Sequence, residues 1–409
     1  MSIKRVAFIS FHACPLAAPG EGKSGGMNVY VRQLALALGS LGVRVDIFTR
    51  NHPKPDADQI EPISPMARVV HLPGGEPDTP MPGLFGNLPG FLEGVRGFQE
   101  ENGLSYDLVH SHYWLSGWVG RALASWQAVP HVVTFHTLAL IKLQARAGEV
   151  EPADRKRVER ELLASADRVI AFTPHEKDAM VRLYAADPSR ITLAPCGVDL
   201  SLFRPLDQRQ ARDRLGLNGG KVLLYVGRLE PLKGLELLLQ TAAQLETCHQ
   251  VRMVVVGGGG AGDEEVERMR RLARSLRVEE LFDFVGRVDQ GELPFYYNAA
   301  DVCVVPSYYE SFGLAALESM ACGTPVVATR VGGLSTIVQH GRTGYLKSWR
   351  CPEAFANSLE MIMSSTRLQH SMGLAARKRA EGMGWDKVAA RLHRVYESLT
   401  GKERAADND

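Results

Sequence analysis

Short apolar, β-branched runs recur along the whole chain, and longer amphipathic stretches separate them. Runs without polar alternation are typical of strands buried on both faces, so they predict parallel sheets covered by helices. In the first half the runs lie at 6–10, 43–49, 68–72, 107–112, 131–136, 168–173 and 190–195. In the second half they lie at 221–227, 252–258, 281–286, 302–306, 325–329 and 343–347. The pattern predicts an α/β protein with two doubly wound, Rossmann-like domains.

A segment rich in turn formers separates the two series. The stretch "PCGVDLSLFRPLDQ" at 195–208 is bracketed by prolines, which puts the predicted hinge near 200–212. A chain of 409 residues is also too long for one ordinary core. We predict an N-terminal domain at 1–205 and a C-terminal domain at 206–384, with an amphipathic helix at 385–400 packing back on the first domain.

The composition excludes several classes of protein. Lys and Arg total 47 against 46 Asp and Glu, so no net field attracts nucleic acid or an anionic membrane. No run approaches the ~20 apolar residues of a membrane span, and the N-terminal apolar run is too short for a signal peptide. The six cysteines show no CxxC pairing, which favours reduced thiols. We therefore predict a cytoplasmic protein, and leave a homodimer and peripheral membrane contact open.

Two glutamates lie eight positions apart in a stretch otherwise short of charge, "YYESFGLAALESMACGTPVVAT" at 308–329. Ligands of open parallel sheets bind beyond the carboxyl ends of the strands, and two facing sheets would put the site in the cleft between the domains. Glu310 lies in the loop after a strand and Glu318 lies in the following helix. Backbone amides at the start of that helix favour a diphosphate. They belong to Ser311, Phe312, Gly313 and Leu314.

A carboxylate that accepts hydrogen bonds from adjacent hydroxyls is a common way to hold a sugar, so a nucleotide sugar would bridge Glu310 and Glu318. The alternative is a glutamate that stabilises the helix dipole and a second one that faces solvent. A second loop supports the functional reading, because "YVGRLEPLKG" at 225–234 places Arg228 and Lys233 after a strand. Both cations can reach a diphosphate. The alternative is that Arg228 and Lys233 are ordinary surface cations.

Four segments together resemble the family 4 retaining glycosyltransferases of GT-B fold. They are "GRLEPLKG", "PSYYESFGLAALESMACGTPVVAT", "GVDLSLFRP" and "GGMNVYVRQLALALGSLGVRVDIFT". The resemblance runs from about residue 4 to residue 399 and includes the glutamate-x7-glutamate motif. It is greatest to the branch that holds the mycothiol-pathway inositol-phosphate glycosyltransferase and sucrose-phosphate synthase. It implies transfer of a hexose or N-acetylhexosamine from a nucleoside-diphosphate sugar, by preference a UDP-sugar, to a small hydroxylated acceptor.

The resemblance also implies roles for residues of the second domain. Glu310 would contact hydroxyls of the transferred sugar, and Glu318 would bind the ribose. Arg228 and Lys233 would hold the diphosphate and stabilise charge as the nucleoside diphosphate leaves. Retaining members are thought to react on one face of the sugar, where the departing phosphate oxygen takes the acceptor's proton. The base would pair with the backbone of two residues in "GRVDQ", which is otherwise an ordinary strand-end loop. They are Arg287 and Val288.

In the first domain the resemblance implies contacts with both substrates. Gly26, in the glycine turn "KSGGMN" at 23–28, would let the backbone approach the distal phosphate of the donor. His136 would contact the sugar, although a histidine at such a place is more often a satisfied core residue. The residues implied to touch the acceptor in these loops are Asn28, Tyr113 and Thr137.

The acceptor is the least constrained part of the reading. In the inositol-phosphate branch the acceptor phosphate meets an arginine in the helix after the "HT" strand and a lysine in a long loop. Arg157 matches the arginine by its spacing from Thr137 and from Glu161. The lysine is missing, because residues 69–95 contain no Lys or Arg. That absence disfavours inositol phosphate, and the apolar loop would cover an aglycone, touch a membrane or pack on its own domain.

Basic residues near Arg157 favour an anionic acceptor nonetheless, because Arg155, Lys156 and Arg160 lie on the same predicted helix. On this reading Arg157 supplies one positive charge to the acceptor site and a neighbour supplies the second. The competing interpretation assigns Arg157 to a structural pair with Glu161.

Three motifs favour other chemistry only weakly. "DAD" at 56–58 fits an Asp-x-Asp metal motif but lies in a Pro-rich loop, and "DND" at 407–409 lies in the terminal tail. We predict catalysis without a metal or other cofactor. "GGGGAG" at 257–262 satisfies a dinucleotide fingerprint, but it follows the second strand of its domain, which disfavours a dehydrogenase. A catalytically silent nucleotide-sugar-binding protein and an epimerase on the same fold remain as alternatives.

Overall fold

The structure is a computed structural model that divides into two compact units. One unit comprises Met1–Pro195 with Trp385–Asp409, and the other comprises Cys196–Gly384. The residues that the structure describes are 3–17, 25–51, 59–76, 79–145, 148, 150–246, 251–259, 263–348 and 350–401.

The first unit contains an eight-stranded sheet. Its strands are β1 (Arg5–Ile9), β2 (Arg44–Arg50), β3 (Ile60–Ser64), β4 (Ala67–Leu72), β5 (Leu108–His112), β6 (His131–Thr134), β7 (Arg168–Ala171) and β8 (Ile191–Leu193). Their order is β3-β4-β2-β1-β5-β6-β7-β8, and every neighbouring pair is parallel except β3 and β4. Because the central strands are covered on both faces, their apolar residues are fully buried, as Phe8, Val109 and Val132 illustrate.

Helices connect these strands. They are α1 (Gly26–Ser40), α2 (Leu88–Glu101), α3 (Trp114–Gln127), α4 (Ala139–Ala145), α5 (Ala153–Ser165) and α6 (Pro174–Tyr184), with short 3-10 helices at Met81–Asn87 and Pro188–Arg190. The helix near the C-terminus, which we number α15 (Trp385–Thr400), belongs to the same unit and packs on α1. The ring centroids of Tyr30 and Trp385 lie 5.4 Å apart at this contact.

The second unit contains a six-stranded parallel sheet. Its strands are β9 (Lys221–Val226), β10 (Val251–Val256), β11 (Phe282–Gly286), β12 (Val302–Val305), β13 (Val326–Thr329) and β14 (Gly344–Lys347), in the order β11-β10-β9-β12-β13-β14. Its helices are α7 (Gln208–Leu215), α8 (Leu235–Ala242), α9 (Glu264–Ser275), α10 (Leu293–Ala299), α11 (Leu314–Ala321), α12 (Leu334–Ile337), α13 (Pro352–Met363) and α14 (Thr366–Ala380). Short 3-10 helices lie at Pro231–Lys233, Glu279–Leu281 and Glu381–Met383.

The core of the second unit is one apolar cluster. Leu239 of α8, Met269 of α9 and Phe355 of α13 are buried in it together with Val255 of β10. These helices are amphipathic, so packing their apolar faces on the sheet supplies most of their stability.

The predicted domain boundary after residue 205 falls later than the division in the structure. Residues 196–205 group with the second unit because they are bonded to it. The backbone N–H of Val198 donates to the carbonyl of Met383 at 2.9 Å, and the ring of Phe203 lies 5.9 Å from that of Tyr297.

The predicted strands are present in both units, but the sequence pattern does not predict β3. Pro62 lies within it, and proline cannot donate to a ladder hydrogen bond, so it weakens the sequence signal. The strand tolerates Pro62 because it is at the edge of the sheet and pairs with β4 alone.

Two predictions from the sequence concern the state of the cysteines and the hydropathy of the helices. Within the described residues, Cys14, Cys196, Cys303, Cys322 and Cys351 are free thiols. Among the helices of the described ranges, none is both long and apolar enough to cross a membrane.

Candidate active site

In the second unit an ion pair lies beyond the carboxyl end of the sheet. Lys233 ends the 3-10 helix that follows β9, and Glu310 lies in the loop between β12 and α11. Lys233 Nζ donates to Glu310 Oε2 at 2.7 Å, and the two side chains are 24% and 15% exposed. The structure therefore brings together two residues that the sequence places 77 positions apart.

Glycines fix the loop that carries Glu310. Gly313 has φ 104° immediately before α11, a conformation that residues with a Cβ rarely adopt. Gly333 packs so closely on this loop that a Cβ there would lie 2.2 Å from the backbone of Phe312. The backbone N–H of Gly333 donates to the carbonyl of Glu310 at 3.0 Å. The loop after β13 therefore packs against the loop that carries Glu310 and donates a hydrogen bond to it. The sequence pattern does not predict this contact.

A second ion pair lies on the loop after β9. Arg228 Nη1 lies 2.5 Å from Glu230 Oε1, and both side chains are more than a third exposed, at 38% and 44%. The hydroxyl of Tyr225 donates to the carbonyl of Arg228 at 2.9 Å and anchors the loop to the sheet. Arg228 and Lys233 are thus each paired with one carboxylate, the first pair exposed and the second partly exposed.

Glu318 lies on α11 and is buried, with 8% of the residue exposed. Its Oε2 accepts a hydrogen bond from the hydroxyl of Tyr297 at 2.8 Å. Burial raises the pKa of Glu318 to about 7, and the hydrogen bond from Tyr297 opposes that shift. The interpretation of Glu318 as a solvent-facing helix residue is therefore wrong.

The remaining predicted donor residues of the second unit follow strands β11 and β12 of the same sheet. Arg287 and Val288 directly follow β11, with Arg287 exposed and Val288 half-buried. The amides of Ser311, Phe312, Gly313 and Leu314 lie at the start of α11. Contacts of these groups with a nucleotide stay predictions.

In the first unit His136 follows β6 and has φ 62°, an uncommon conformation for a residue with a side chain. The residue is 8% exposed, and its Nε2 lies 3.1 Å from Nδ1 of His112. Its ring also meets the rings of Tyr30 and Phe172, with centroids at 5.0 and 5.5 Å. Burial, with a smaller contribution from His12, lowers the pKa of His136 to about 3, so the imidazole is neutral at pH 7.

Asn28 forms hydrogen bonds at the N-terminal end of α1. Its Oδ1 accepts from the backbone N–H of Gly25 at 3.1 Å, and its Nδ2 donates to the carbonyl of Cys14 at 2.6 Å. Gly26 is the first residue of α1 and is exposed. Lys23 and Ser24 of the glycine turn lie outside the described residues.

Tyr113 and Thr137 both contact Arg155. Tyr113 follows β5 with φ 81°, and the guanidinium carbon of Arg155 lies 4.9 Å from the centroid of its ring. Arg155 Nη2 donates to the hydroxyl and to the carbonyl of Thr137 at 3.0 and 2.9 Å. Arg155 belongs to α5 and only 3% of its side chain is exposed. Arg155 therefore contacts two of the residues that the resemblance implies for the acceptor.

Two carboxylates surround Arg155. Its Nε donates to Glu159 at 2.7 Å and its Nη1 donates to Glu151 at 2.8 Å. Burial raises the pKa of Glu159, whereas Arg155 and the hydroxyl of Tyr184 act in the opposite direction. Burial alone would lower the pKa of Arg155, but Tyr113 and the two carboxylates raise it above its ordinary value, so the guanidinium stays charged.

Arg157 lies elsewhere on α5 and is 52% exposed. Its guanidinium bonds to Asp154 at 3.0 Å and to Glu161 at 2.9 Å, and its carbon lies 5.9 Å from the ring centroid of Phe85. The structure thus shows the pairing with Glu161 that the sequence raised as the competing interpretation. A role of Arg157 in acceptor binding stays a prediction.

The described part of the lysine-free stretch at 69–95 packs on its own unit. Leu84, Leu88 and Phe91 are buried, and the ring of Phe85 stacks on Trp114 with centroids 5.5 Å apart. Of the three interpretations of this apolar loop, packing on its own domain is the one that these contacts support.

Comparison with known proteins gives the family. The description "Glycosyl transferases group 1" matches residues 207–379, and "Glycosyltransferase Family 4" matches residues 24–202. The D-inositol 3-phosphate glycosyltransferase 2 of Catenulispora acidiphila is 42% identical and covers 96% of this chain and 94% of its own. The chain belongs to the family 4 glycosyltransferases of GT-B fold. The predicted family, fold and enzyme class are therefore confirmed.

Two further proteins are similar to this glycosyltransferase over nearly all of its length. The D-inositol 3-phosphate glycosyltransferase of Thermomonospora curvata is 41% identical and covers 97% of this chain and 96% of its own. The solved structure of sucrose-phosphate synthase from Thermosynechococcus elongatus has a TM-score of 0.89 and 37% sequence identity, and covers 97% of this chain and 99% of that one. This family membership removes the dehydrogenase interpretation.

Across the described ranges, no three His, Cys, Asp or Glu side chains are grouped as a metal site. "DAD" at 56–58, "DND" at 407–409 and residues 260–262 of the glycine run lie outside the described residues. Metal-independent catalysis by the glycosyltransferase stays a prediction.

Proposed function

We propose that this glycosyltransferase transfers a hexose or N-acetylhexosamine from a UDP-sugar to a small hydroxylated acceptor, with retention of configuration and without a metal ion. The reaction takes place in the cytoplasm. The observation that carries the proposal is the pair formed by Lys233 and Glu310 at the carboxyl end of the second sheet. Parallel sheets bind their ligands at this end.

The cations of the second unit suit a diphosphate. Arg228 and Lys233 follow the same strand, and each is paired with a carboxylate near solvent. The exposed pair of Arg228 and Glu230 contributes only about 0–1 kcal/mol, and the pair of Lys233 and Glu310 is partly exposed, so a diphosphate can compete for both cations. The start of α11 adds backbone amides and the positive end of a helix dipole. When Lys233 turns to the phosphate, Glu310 is free to accept bonds from sugar hydroxyls.

Glu318 suits the ribose. A buried carboxylate that one tyrosine already bonds has a second oxygen to accept hydrogen bonds from adjacent hydroxyls. Because the pKa of Glu318 is about 7 in the free protein, donated bonds from ribose would favour its ionised form. Glu310 and Glu318 therefore serve two different parts of the donor.

His136 supports a mechanism without a dedicated enzymatic base. An imidazole whose pKa is lowered to about 3 is a weak proton acceptor at pH 7, so His136 serves as a hydrogen-bonding contact for the sugar. The phosphate oxygen that leaves the sugar accepts the proton of the attacking acceptor hydroxyl on the same face. Arg228 and Lys233 stabilise the negative charge on the departing nucleoside diphosphate.

The donor is tested by nucleotide binding and by product release. Thermal shift with UDP, GDP and ADP should give the largest stabilisation with UDP. Release of UDP from a UDP-sugar should then require an acceptor, measured against a blank with donor alone, and NMR of the product should show the anomeric configuration of the donor. Stronger binding of GDP or ADP would contradict the donor assignment, and isomerisation of the donor in the blank would indicate an epimerase.

A further inference from the structure

A carboxylate lies between two cations beside the residues proposed for the acceptor. Glu151 Oε1 lies 2.5 Å from Nζ of Lys142, and Glu151 Oε2 accepts from Arg155 Nη1 at 2.8 Å. The side chain of Glu151 is only 6% exposed, against 23% for Lys142 and 3% for Arg155. Its two oxygens therefore occupy the position that an anionic ligand of these cations would take.

Four of the five N–H donors of Arg155 already have protein partners in this arrangement. Its Nε bonds to Glu159, its Nη1 bonds to Glu151 and its Nη2 bonds twice to Thr137. Thr137 and Tyr113 are the residues that the family resemblance assigns to the acceptor, and Arg155 holds one and lies against the ring of the other. Arg155 therefore positions Thr137 and Tyr113 without offering an unpaired charge.

The charges of this cluster balance. Lys142 and Arg155 are opposed by Glu151 and Glu159, and Glu159 also accepts from the backbone N–H of Ala139 at 3.0 Å and from the hydroxyl of Tyr184. An anionic acceptor would have to remove a cation from a buried carboxylate, which leaves that carboxylate without a partner. The cluster thus disfavours a phosphate at this place.

Other cations of α5 point away from Thr137. Successive helical residues are rotated by about 100°, so Arg157 lies roughly opposite Arg155 on the helix. It is exposed and paired with Asp154 and Glu161. Lys156 and Arg160, four positions apart, share a face turned by about 100–140° from Arg155, and Arg160 is exposed.

We propose that Glu151 replaces the anionic group of an acceptor, so that this glycosyltransferase uses an uncharged polyol or sugar. This inference rests on the proposed function and specifies its substrate class. Glu151 is then a specificity-determining residue, because its carboxylate neutralises Arg155 and Lys142 before any acceptor binds.

Matched acceptor pairs test the inference on the unmodified enzyme. Inositol is compared with inositol 3-phosphate, and fructose with fructose 6-phosphate, by UDP release from a UDP-sugar against a donor-only blank. We expect the uncharged member of the accepted pair to have the higher kcat/KM by about tenfold or more. A higher kcat/KM for the phosphorylated member would overturn the inference.

A phosphate titration tests Glu151 whichever polyol the enzyme uses. Inorganic phosphate is titrated by calorimetry into UDP-saturated wild type, Glu151→Ala and Glu161→Ala, at constant ionic strength. Glu161→Ala is the matched control, since it removes a carboxylate from Arg157 on the same helix. We expect phosphate to bind Glu151→Ala about tenfold or more tightly than it binds the other two proteins.

Other outcomes of the titration overturn the inference. Equal phosphate affinity in wild type and Glu151→Ala would show that Glu151 does not hold an anion position, and a gain confined to Glu161→Ala would assign that position to the two partners of Glu161, Arg157 and Arg121. If Glu151→Ala does not fold, the matched acceptor pairs decide. UDP binding by wild type is the separate readout for the proposed function, so its failure would be recognised before any acceptor or phosphate is added.

Discussion

The two units hold their arginines and lysines in different ways. In the second unit Arg228 pairs with Glu230, with side chains 38% and 44% exposed, and Lys233 pairs with Glu310, with side chains 24% and 15% exposed. In the first unit Arg155 pairs with Glu159 and Glu151, and the three side chains are 3%, 0% and 6% exposed.

This difference in burial determines whether an incoming anionic ligand can displace a carboxylate from its cation. An exposed pair is weak and its carboxylate can return to water, so an incoming diphosphate can exchange with it. Breaking a buried pair leaves a charge without solvent or partner, which costs about 3–5 kcal/mol. We therefore expect the second unit to exchange its internal carboxylates for phosphates, and the first unit to keep its own.

The largest expected effect comes from breaking the buried pair. Glu159→Gln should lower the free energy of unfolding of the first unit by about 3–5 kcal/mol, because Arg155 loses its fully buried partner. Arg228→Met is the matched control, and it should change stability by about 1 kcal/mol or less. Urea unfolding of both variants measures the difference. Similar losses in the two variants would show that burial does not separate the two regions.

Glu310 should matter for turnover. Glu310→Ala should lower kcat by roughly 100-fold, because the transferred sugar is no longer held in the geometry for attack. Glu230→Ala removes the exposed carboxylate that pairs with Arg228 and should leave kcat within a few-fold of wild type. Steady-state UDP release measures both variants. Equal losses in kcat would mean that Glu310 acts only as a partner of a cation.

Glu318 should make donor binding depend on pH. Its pKa is about 7 in the free protein, and in the proposed complex ribose hydroxyls would donate to the ionised carboxylate, so binding should release a proton. The affinity for a UDP-sugar should therefore rise by about tenfold between about pH 6 and pH 8. Calorimetry with a UDP-sugar avoids a terminal phosphate that titrates in the same range. Glu318→Gln should abolish this pH dependence, and a dependence that persists would assign the proton to another group.

Arg157 should give the smallest effect. Its guanidinium is exposed and its ion pairs are on the surface, so Arg157→Ala should leave the melting temperature and the acceptor KM nearly unchanged. A sharp rise in KM with intact donor binding would restore the prediction that Arg157 binds an anionic acceptor.

The sheets and the positions of their strand-end loops were predictable because local signals determine them. Buried parallel strands need continuous apolar runs, and the strand-end loops with Arg228, Lys233 and Glu310 follow directly from those runs. The pairing of Lys233 with Glu310 was not predictable, since it depends on which loops the sheet order brings together. The support that Gly333 gives to the Glu310 loop has the same origin.

The residues near the proposed acceptor were harder to predict, because the spacing between residues in the sequence does not determine which face of a helix is buried. Arg155 and Arg157 lie two positions apart on α5, and only one of them can face Thr137. A signal was present, because the apolar residues Val158 and Leu162 follow Arg155 at helical spacing and mark its face as buried. Glu151 lies before the helix begins, so no periodic pattern connects it with Arg155.

The most direct test of the exchange between carboxylate and phosphate is UDP affinity in two variants. Calorimetric titration of UDP should show weaker binding to Lys233→Met, because the diphosphate loses a cation. Binding to Glu310→Gln should be as tight as to wild type or tighter, because the internal competitor for Lys233 is gone while the residue keeps its size. If Glu310→Gln weakens UDP binding as much as Lys233→Met does, Glu310 is a structural support of the lysine and the proposed exchange is wrong.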